Sequence, residues 1–326
     1  MAEFKPDDFN YIRGVNIGGW LVLENYITPY FFSLTDCHLK GDFRFYKGQI
    51  DAPPASSPLY KPMDEAARKK CKLLPKHPVD EWSMTSYFRD ANQRSSAFAK
   101  QYLDIHYDNF VTREDIAEIK ASGASHVRVP LGHWILGDIK GNEPYVEGGW
   151  KYFKRMVGWC KEEGIQVWPD LHTAPGSQNG FDNSGHRLGT GSPTCSGWDH
   201  NHNITVDGEF PYNVKRTLRI IDQITSTIVA DGMRDVVTGF GLLNDPFNDC
   251  NFDTVKEFYN QGLEIVRKNM GQDTAVYVGD MFNAGKFNSF WTTDEFKGTY
   301  MDSHLYQSFV ANARHLSPRQ HIALVW

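Results

Sequence analysis

The sequence contains no apolar run approaching the roughly 20 residues that a membrane-crossing helix needs. Its first residues, MAEFKPDDFNYIRG, lack the positive stretch followed by an apolar one that marks an export signal. Read on its own, the chain is expected to have neither a membrane span nor a leader, and a cytoplasmic location is one option. Cysteine is scarce: the five present (Cys37, Cys71, Cys160, Cys195 and Cys250) are scattered, with no C-x-x-C pair and no metal-ligand spacing. That argues against a zinc module and a dense disulfide framework, and the odd count leaves at least one thiol free. Positive charge is not in excess either. Lys and Arg number 34 against 40 Asp and Glu, for a net charge of -6 with mixed signs. Neither nucleic acid nor an anionic membrane surface is an expected partner. Internal repeats and low-complexity tracts are missing as well.

What is there is enough apolar material for one large core. Hydrophobic residues make up 40% and aromatics 14% of 326 residues, which suits a single domain over 1–326. From about residue 120 onward, short β-rich runs alternate with amphipathic helical windows, the rhythm of a parallel sheet built of β/α units. The runs read as strands are 13–22, 126–131, 165–171, 236–243, 275–280 and 299–305. Thr112 and Asp115 have the spacing of a capping box ahead of Ile116 and Ile119, with Gly123 placed to end that helix. Apolar stripes at Phe153, Met156, Val157 and Cys160, at Val214, Leu218, Ile221, Ile224 and Ile228, and at Val255, Phe258, Leu263 and Val266 mark three further helices that pack a core.

Two stretches break the rhythm, 30–100 and 186–212, and long insertions on a β/α barrel tend to wall an active site. Ser317-Pro318-Arg319-Gln320 reads as the start of a helix. By this count the chain is an α/β protein, a TIM-type barrel incomplete at about six of eight β/α units, ending before strands seven and eight. An unclosed barrel is expected to leave strand edges unpaired and an apolar interior uncovered, and so to invite self-association through the open edge.

In a β/α barrel the reacting groups sit at the C-terminal ends of the strands. The polar residues there are Glu24, Arg128, His133, His172, Asn183, Asn244, Asp245, His304 and Tyr306, interleaved with Trp20, Trp134, Phe181 and Phe309. Amides and carboxylates that hydrogen-bond hydroxyls, beside planar rings that stack on sugar faces, suit a neutral polyhydroxylated ligand. Taken singly, each has a plainer reading: Arg128 as a strand-end ion pair, His172 and His304 as satisfied core histidines, the phenylalanines as packing.

The runs RGVNIGGWLVLE (13–24), ASHVRVPLGHW (124–134), VWPDLHTAPGSQNGFDNSG (167–185), GFGLLNDPF (239–247) and DSHLYQSF (302–309) together resemble the strand-end motifs of fungal-type exo-β-1,3-glucanases of glycoside hydrolase family 5. The resemblance implies a retaining glucan 1,3-β-glucosidase chemistry with no cofactor and no metal, acting on β-1,3-glucan or laminari-oligosaccharides, and an extracellular or cell-wall location. It implies that Arg128 orients the nucleophile, that His172 and Asn183 line the pocket, and that Glu24 holds hydroxyls of the terminal sugar. Asn244 takes the place of the asparagine on the 2-hydroxyl, His304 and Tyr306 that of the pair adjusting the two carboxylates, and Phe181 with Phe309 that of an aromatic clamp.

The chain departs from the family at both acids. Retaining enzymes need two carboxyl groups about 5 Å apart. The family motif Asn-Glu-Pro, with the glutamate as acid/base, here reads Asn244-Asp245-Pro246. The shorter side chain withdraws the carboxyl by about 1 Å, a displacement that costs on the order of a hundredfold in rate. The family nucleophile lies on a seventh strand, in a Gly-Glu-Trp type motif that does not occur up to Trp326. Three readings follow. One is a glucanase-like binder that has lost or nearly lost catalysis. The second is a fragment of an active exo-β-1,3-glucosidase, and the third is a protein that docks a partner through the open barrel edge.

Overall fold

Thr112 starts the first regular β/α unit by the chemistry its spacing predicts. Its Oγ1 accepts from the Asp115 N–H while the Asp115 carboxylate accepts from the Thr112 N–H, so two orphan donors of the first turn are satisfied together. In chain order the elements are β1 (Gly14–Asn16), β2 (Arg44–Tyr46), β3 (Gln49–Asp51), α1 (Glu81–Asp90), α2 (Ser96–Asn109), α3 (Arg113–Ala121), β4 (His126–Leu131), α4 (Trp150–Glu163), β5 (Gln166–Leu171), α5 (Tyr212–Ala230), β6 (Gly239–Gly241), α6 (Phe252–Met270), β7 (Ala275–Gly279) and β8 (Thr299–Asp302). The computed structural model describes residues 12–29, 78–90, 96–188, 197–199, 211–288 and 296–306, with short stretches at 32, 44–46, 49–51, 316–317 and 320.

Six strands form one sheet in the order β1-β4-β5-β6-β7-β8, every neighbouring pair parallel. This is the α/β, incomplete-barrel architecture the β/α rhythm predicts. The sheet is strongly curved. Arg128 on β4 and Asp302 on β8 lie four strands apart, which in a flat sheet at about 4.8 Å per strand would separate them by roughly 19 Å, yet their side chains approach to 3.7 Å. Alternate residues of each strand face outward onto the helices: Val127, Val129, Val167, Phe240, Val276 and Val278 pack with Met156, Ile221, Ile224, Phe258 and Val266 in one buried cluster. Burying each such side chain stabilises the fold by about 1.5–3 kcal/mol. The three apolar helical stripes read from the sequence are all buried in it.

The inward face is not the apolar interior that was expected. Arg128, Asp170, Asp302 and Asn16 meet there, above a layer in which Trp168 stacks on Tyr277 at 5.6 Å and approaches Tyr300 at 6.4 Å. Glycine on β6 makes this possible. A Cβ at Gly241 would lie 2.4 Å from the Tyr277 ring and 2.6 Å from the Asp170 Cβ, and one at Gly239 would lie 2.6 Å from the Trp168 ring.

The strands are shorter than the apolar runs suggest. The run 13–22 is a strand only over Gly14–Asn16, because Gly18-Gly19 turn the chain, with Gly19 at φ +69°. Leu21 and Leu23 are buried in the loop beyond. The stretch 30–100, read as an insertion, contributes helix α1 and the start of α2, which pack under that loop. At 317 the Ser317 N–H and hydroxyl both donate to Gln320 Oε1, at 2.8 and 2.9 Å, as the capping pattern predicts. The rest of that segment, with Phe309, lies outside the described residues.

Candidate active site

Period two along a strand places residues i and i+2 on one face, so Asp170 with His172 and Asp302 with His304 both project into the barrel mouth. The Asp170 Oδ2 accepts from His172 Nδ1 at 2.9 Å and lies 3.2 Å from Arg128 Nη2. The same guanidinium donates through Nη2 to Asn244 Oδ1 at 2.7 Å and through Nη1 to Asn16 Oδ1 at 3.0 Å. Burial disfavours charge on both Arg128 and Asp170. The mutual attraction outweighs it: the Arg128 pKa is raised by Asp170, Tyr277, Asp302 and Asp245, and that of Asp170 is lowered by Arg128, His172 and His304.

His304 links the two remaining aspartates. Its Nδ1 lies 2.8 Å from Asp245 Oδ1 and its Nε2 3.2 Å from Asp302 Oδ2. Burial alone would lower its pKa, but the hydrogen bonds to Asp245 and Asp302 raise it to about 10. Asp245 occupies the turn after β6 with φ +45°, a left-handed backbone that costs free energy for a residue with a Cβ. Two buried amides hold it. Asn179 Nδ2 donates to the Asp245 carbonyl at 3.1 Å and to Asn183 Oδ1 at 3.2 Å. Gln178 Nε2 donates to the carbonyls of His172 and Asn244, both at 2.9 Å, stitching the loop after β5 to the loop after β6.

Glu24 sits beside this hub in the loop after β1, 3% exposed. Its Oε1 accepts from the Gly19 N–H at 3.0 Å and its Oε2 from the Tyr26 hydroxyl. The segment 80–82 ties that loop to the one after β5: Glu81 accepts from the Leu23 N–H at 2.8 Å, and the Trp82 N–H donates to the Gly185 carbonyl at 2.9 Å. Tyr306 is exposed, and its hydroxyl pKa is raised by partial burial and by the charges of Asp245 and Glu24. At the mouth Phe181 meets Phe247 edge-on at 5.4 Å, and Phe247 meets Phe282 at 5.4 Å.

The structure thus gathers Arg128, His172, Asn244, Asp245 and His304 into one network, with Asn183 joined through Asn179 and with Glu24, Tyr306 and Phe181 on its rim. His133 is not part of it: it is buried, donating or accepting at Thr173 Oγ1 and edge-on to Trp134 and Tyr145. Reading strand ends alone missed Asp170, Asp302, Gln178 and Asn179. The repeated Asp-x-His spacing at 170–172 and 302–304 is a signal that finds the first two. Chemically, the arrangement offers hydrogen-bond donors and acceptors with fixed directions beside aromatic faces. Among the described residues no group of three or more His, Cys, Asp or Glu side chains is arranged to hold a metal ion.

Comparison with known proteins identifies the fold and the family. The Aspergillus niger rutinosidase crystal structure superposes with a TM-score of 0.63 over 90% of this chain and 69% of that one, at 15% identity, which speaks to the fold. A "Glucan 1,3-beta-glucosidase" of Blumeria graminis is 35% identical over 320 residues, covering 97% of this chain and 60% of that protein. One from Yarrowia lipolytica is 31% identical, covering 97% and 63%. The chain therefore spans about three-fifths of the length of the curated relatives it matches. The family described as Cellulase (glycosyl hydrolase family 5) matches residues 89–318, a stretch that carries the Arg128, Asn244 and His304 network, and the chain belongs to that family.

Proposed function

We propose that this chain recognises the ends of β-1,3-glucan or laminari-oligosaccharides with catalysis lost or nearly lost. The observation that carries the reading is the position of Asp245. The residue in the acid/base place is an aspartate, one methylene shorter than the family glutamate, and its carboxylate is engaged by His304 at 2.8 Å. A general acid must present its proton to the leaving oxygen, and both features hold this carboxyl back. The groups that would bind sugar stand differently. Asn244 has committed its Oδ1 to Arg128, which leaves its amide hydrogens as donors, and its Nδ2 has no hydrogen-bond partner among the described residues. His172 is fixed through Nδ1 by Asp170, which leaves Nε2 for a ligand.

A second reading is favoured by length: the relatives named as glucan 1,3-beta-glucosidases are longer, and this sequence would then be part of an active retaining exo-β-1,3-glucosidase. An extracellular or cell-wall setting goes with either reading.

Titration calorimetry with laminaritriose, beside a long-incubation assay for released glucose, separates the readings. Heat of binding that Asn244→Ala abolishes, with no glucose, is the expected result. Turnover at about 1 s⁻¹ or faster that disappears in Asp245→Ala would establish the second reading, and absence of both binding and turnover would end both.

A further inference from the structure

We propose that Asp302 is a positioning residue for this site: from the end of β8 it holds His304 as an imidazolium, and His304 in turn fixes the carboxylate of Asp245. The inference rests on the preceding reading of Asp245 as the carboxylate in the acid/base place, engaged by His304.

A neutral imidazole donates from one nitrogen only, so with a carboxylate oxygen at each nitrogen it would set its remaining lone pair against an acceptor. It satisfies both only by carrying both protons. His304 is in that position, with Asp245 at 2.8 Å from Nδ1 and Asp302 at 3.2 Å from Nε2. The two carboxylates differ in how they are held. Asp302 lies on a paired strand, opposite Gly279 of β7, and its carbonyl accepts from the Asp280 N–H at 3.2 Å. Its side chain also lies 3.7 Å from Arg128 Nη2. Asp245 sits in a loop at φ +45°. The strand-borne carboxylate sets the ring, and the loop carboxylate meets it from the other side. The other charges facing His304 are Asp170 on β5, which favours the cation, and Arg128 on β4, which opposes it and is itself engaged by Asp170 and Asp302.

The test is nuclear magnetic resonance of ¹⁵N-histidine-labelled protein, with His304 assigned by comparison with His304→Gln. It needs no glucan, so its failure is distinguishable from failure of the binding reading. At pH 8 the native protein should show both His304 ring nitrogens protonated. Asp302→Asn keeps the size of the side chain and removes its charge, and should lower the His304 midpoint by about 1–3 pH units. In Asp245→Asn the midpoint should stay above the ordinary histidine value of about 6.5, because Asp302 remains. A neutral His304 at pH 8 in the native protein overturns the proposal. So does a midpoint that Asp302→Asn leaves unchanged, or one that falls to the ordinary value in Asp245→Asn alone. Should Asp302→Asn fail to fold, the native spectrum and the Asp245→Asn titration decide the matter.

Discussion

Replacing Arg128 with methionine keeps an unbranched apolar stem and removes the guanidinium with its charge, and it probes the centre of the site directly. In the native protein Asp170 is 1% exposed and is held by Arg128 at 3.2 Å and His172 at 2.9 Å. Removing one partner of a buried ion pair typically costs about 3–5 kcal/mol, because the remaining charge stays desolvated. His172 remains as a hydrogen-bond donor, so the lower end, about 3 kcal/mol, is expected at pH 7. At roughly 2 °C per kcal/mol for a chain of this size, the melting temperature should fall by about 6 °C. The pH dependence fixes the cause. The native pKa of Asp170 lies below its unfolded value of 3.8, so the native ion pair contributes stability above that value and loses it as pH falls through the folded one. In Arg128→Met burial pushes the folded pKa above the unfolded one, and the sign reverses: the variant should recover stability as pH falls from 7 toward 5. The assay is urea denaturation followed by near-ultraviolet circular dichroism at pH 7 and pH 5 for both proteins. A loss under about 1 kcal/mol at pH 7, or a deficit that does not narrow at pH 5, refutes the argument that Arg128 is what keeps Asp170 charged.

Gly241→Ala places a Cβ 2.4 Å from the Tyr277 ring and 2.6 Å from the Asp170 Cβ; overpacking of this kind costs about 1–3 kcal/mol, and an unchanged denaturation midpoint would contradict the interior packing described above. Glu81 is fully buried with its pKa pushed up to about 8 by burial, so folding takes up a proton and native stability should decline by a few kcal/mol as pH rises from about 4.5 to 8. In Glu81→Gln that decline should flatten, which chemical denaturation at pH 5 and pH 8 measures.

The helices were legible because their signals are local. The Thr112–Asp115 box and the stripe Val214, Leu218, Ile221, Ile224, Ile228 require only spacing along the chain, and each is found as read. Strand lengths were not, because apolar residues also fill buried loops. Leu21 and Leu23 lie beyond the Gly18-Gly19 turn and pack as tightly as any strand residue. Helix α1 and the start of α2 were hidden inside the stretch 30–100 that breaks the β/α rhythm, and tertiary packing against the first loop gives them their place. The site was legible by strand ends and resemblance. Its charge network was not, since the meeting of Arg128 and Asp302 depends on how far the sheet curls, a property of no single segment. Gly239 and Gly241 leave the space into which Trp168 and Tyr277 fit, a role that shows only once the neighbouring strands are in place.

The charge balance of the network bears on which reading of function holds. Asp170, Asp245 and Asp302 face Arg128 and His304, and every carboxylate has a cationic neighbour: Arg128 for Asp170 and Asp302, His304 for Asp302 and Asp245. Nothing in that arrangement requires one of the three acids to retain a proton at neutral pH. A retaining glycosidase needs the opposite, one carboxyl protonated beside one ionised. Arg128 still has a donor to give, for its Nε is buried with no hydrogen-bond partner among the described residues. A fourth carboxylate brought to that donor would set four acids against two cations, and like charges at such range force a proton onto one of them. The acid function of this pocket is thus conditional on a further carboxylate reaching Arg128, whereas the sugar binding proposed for Asn244 and His172 is not.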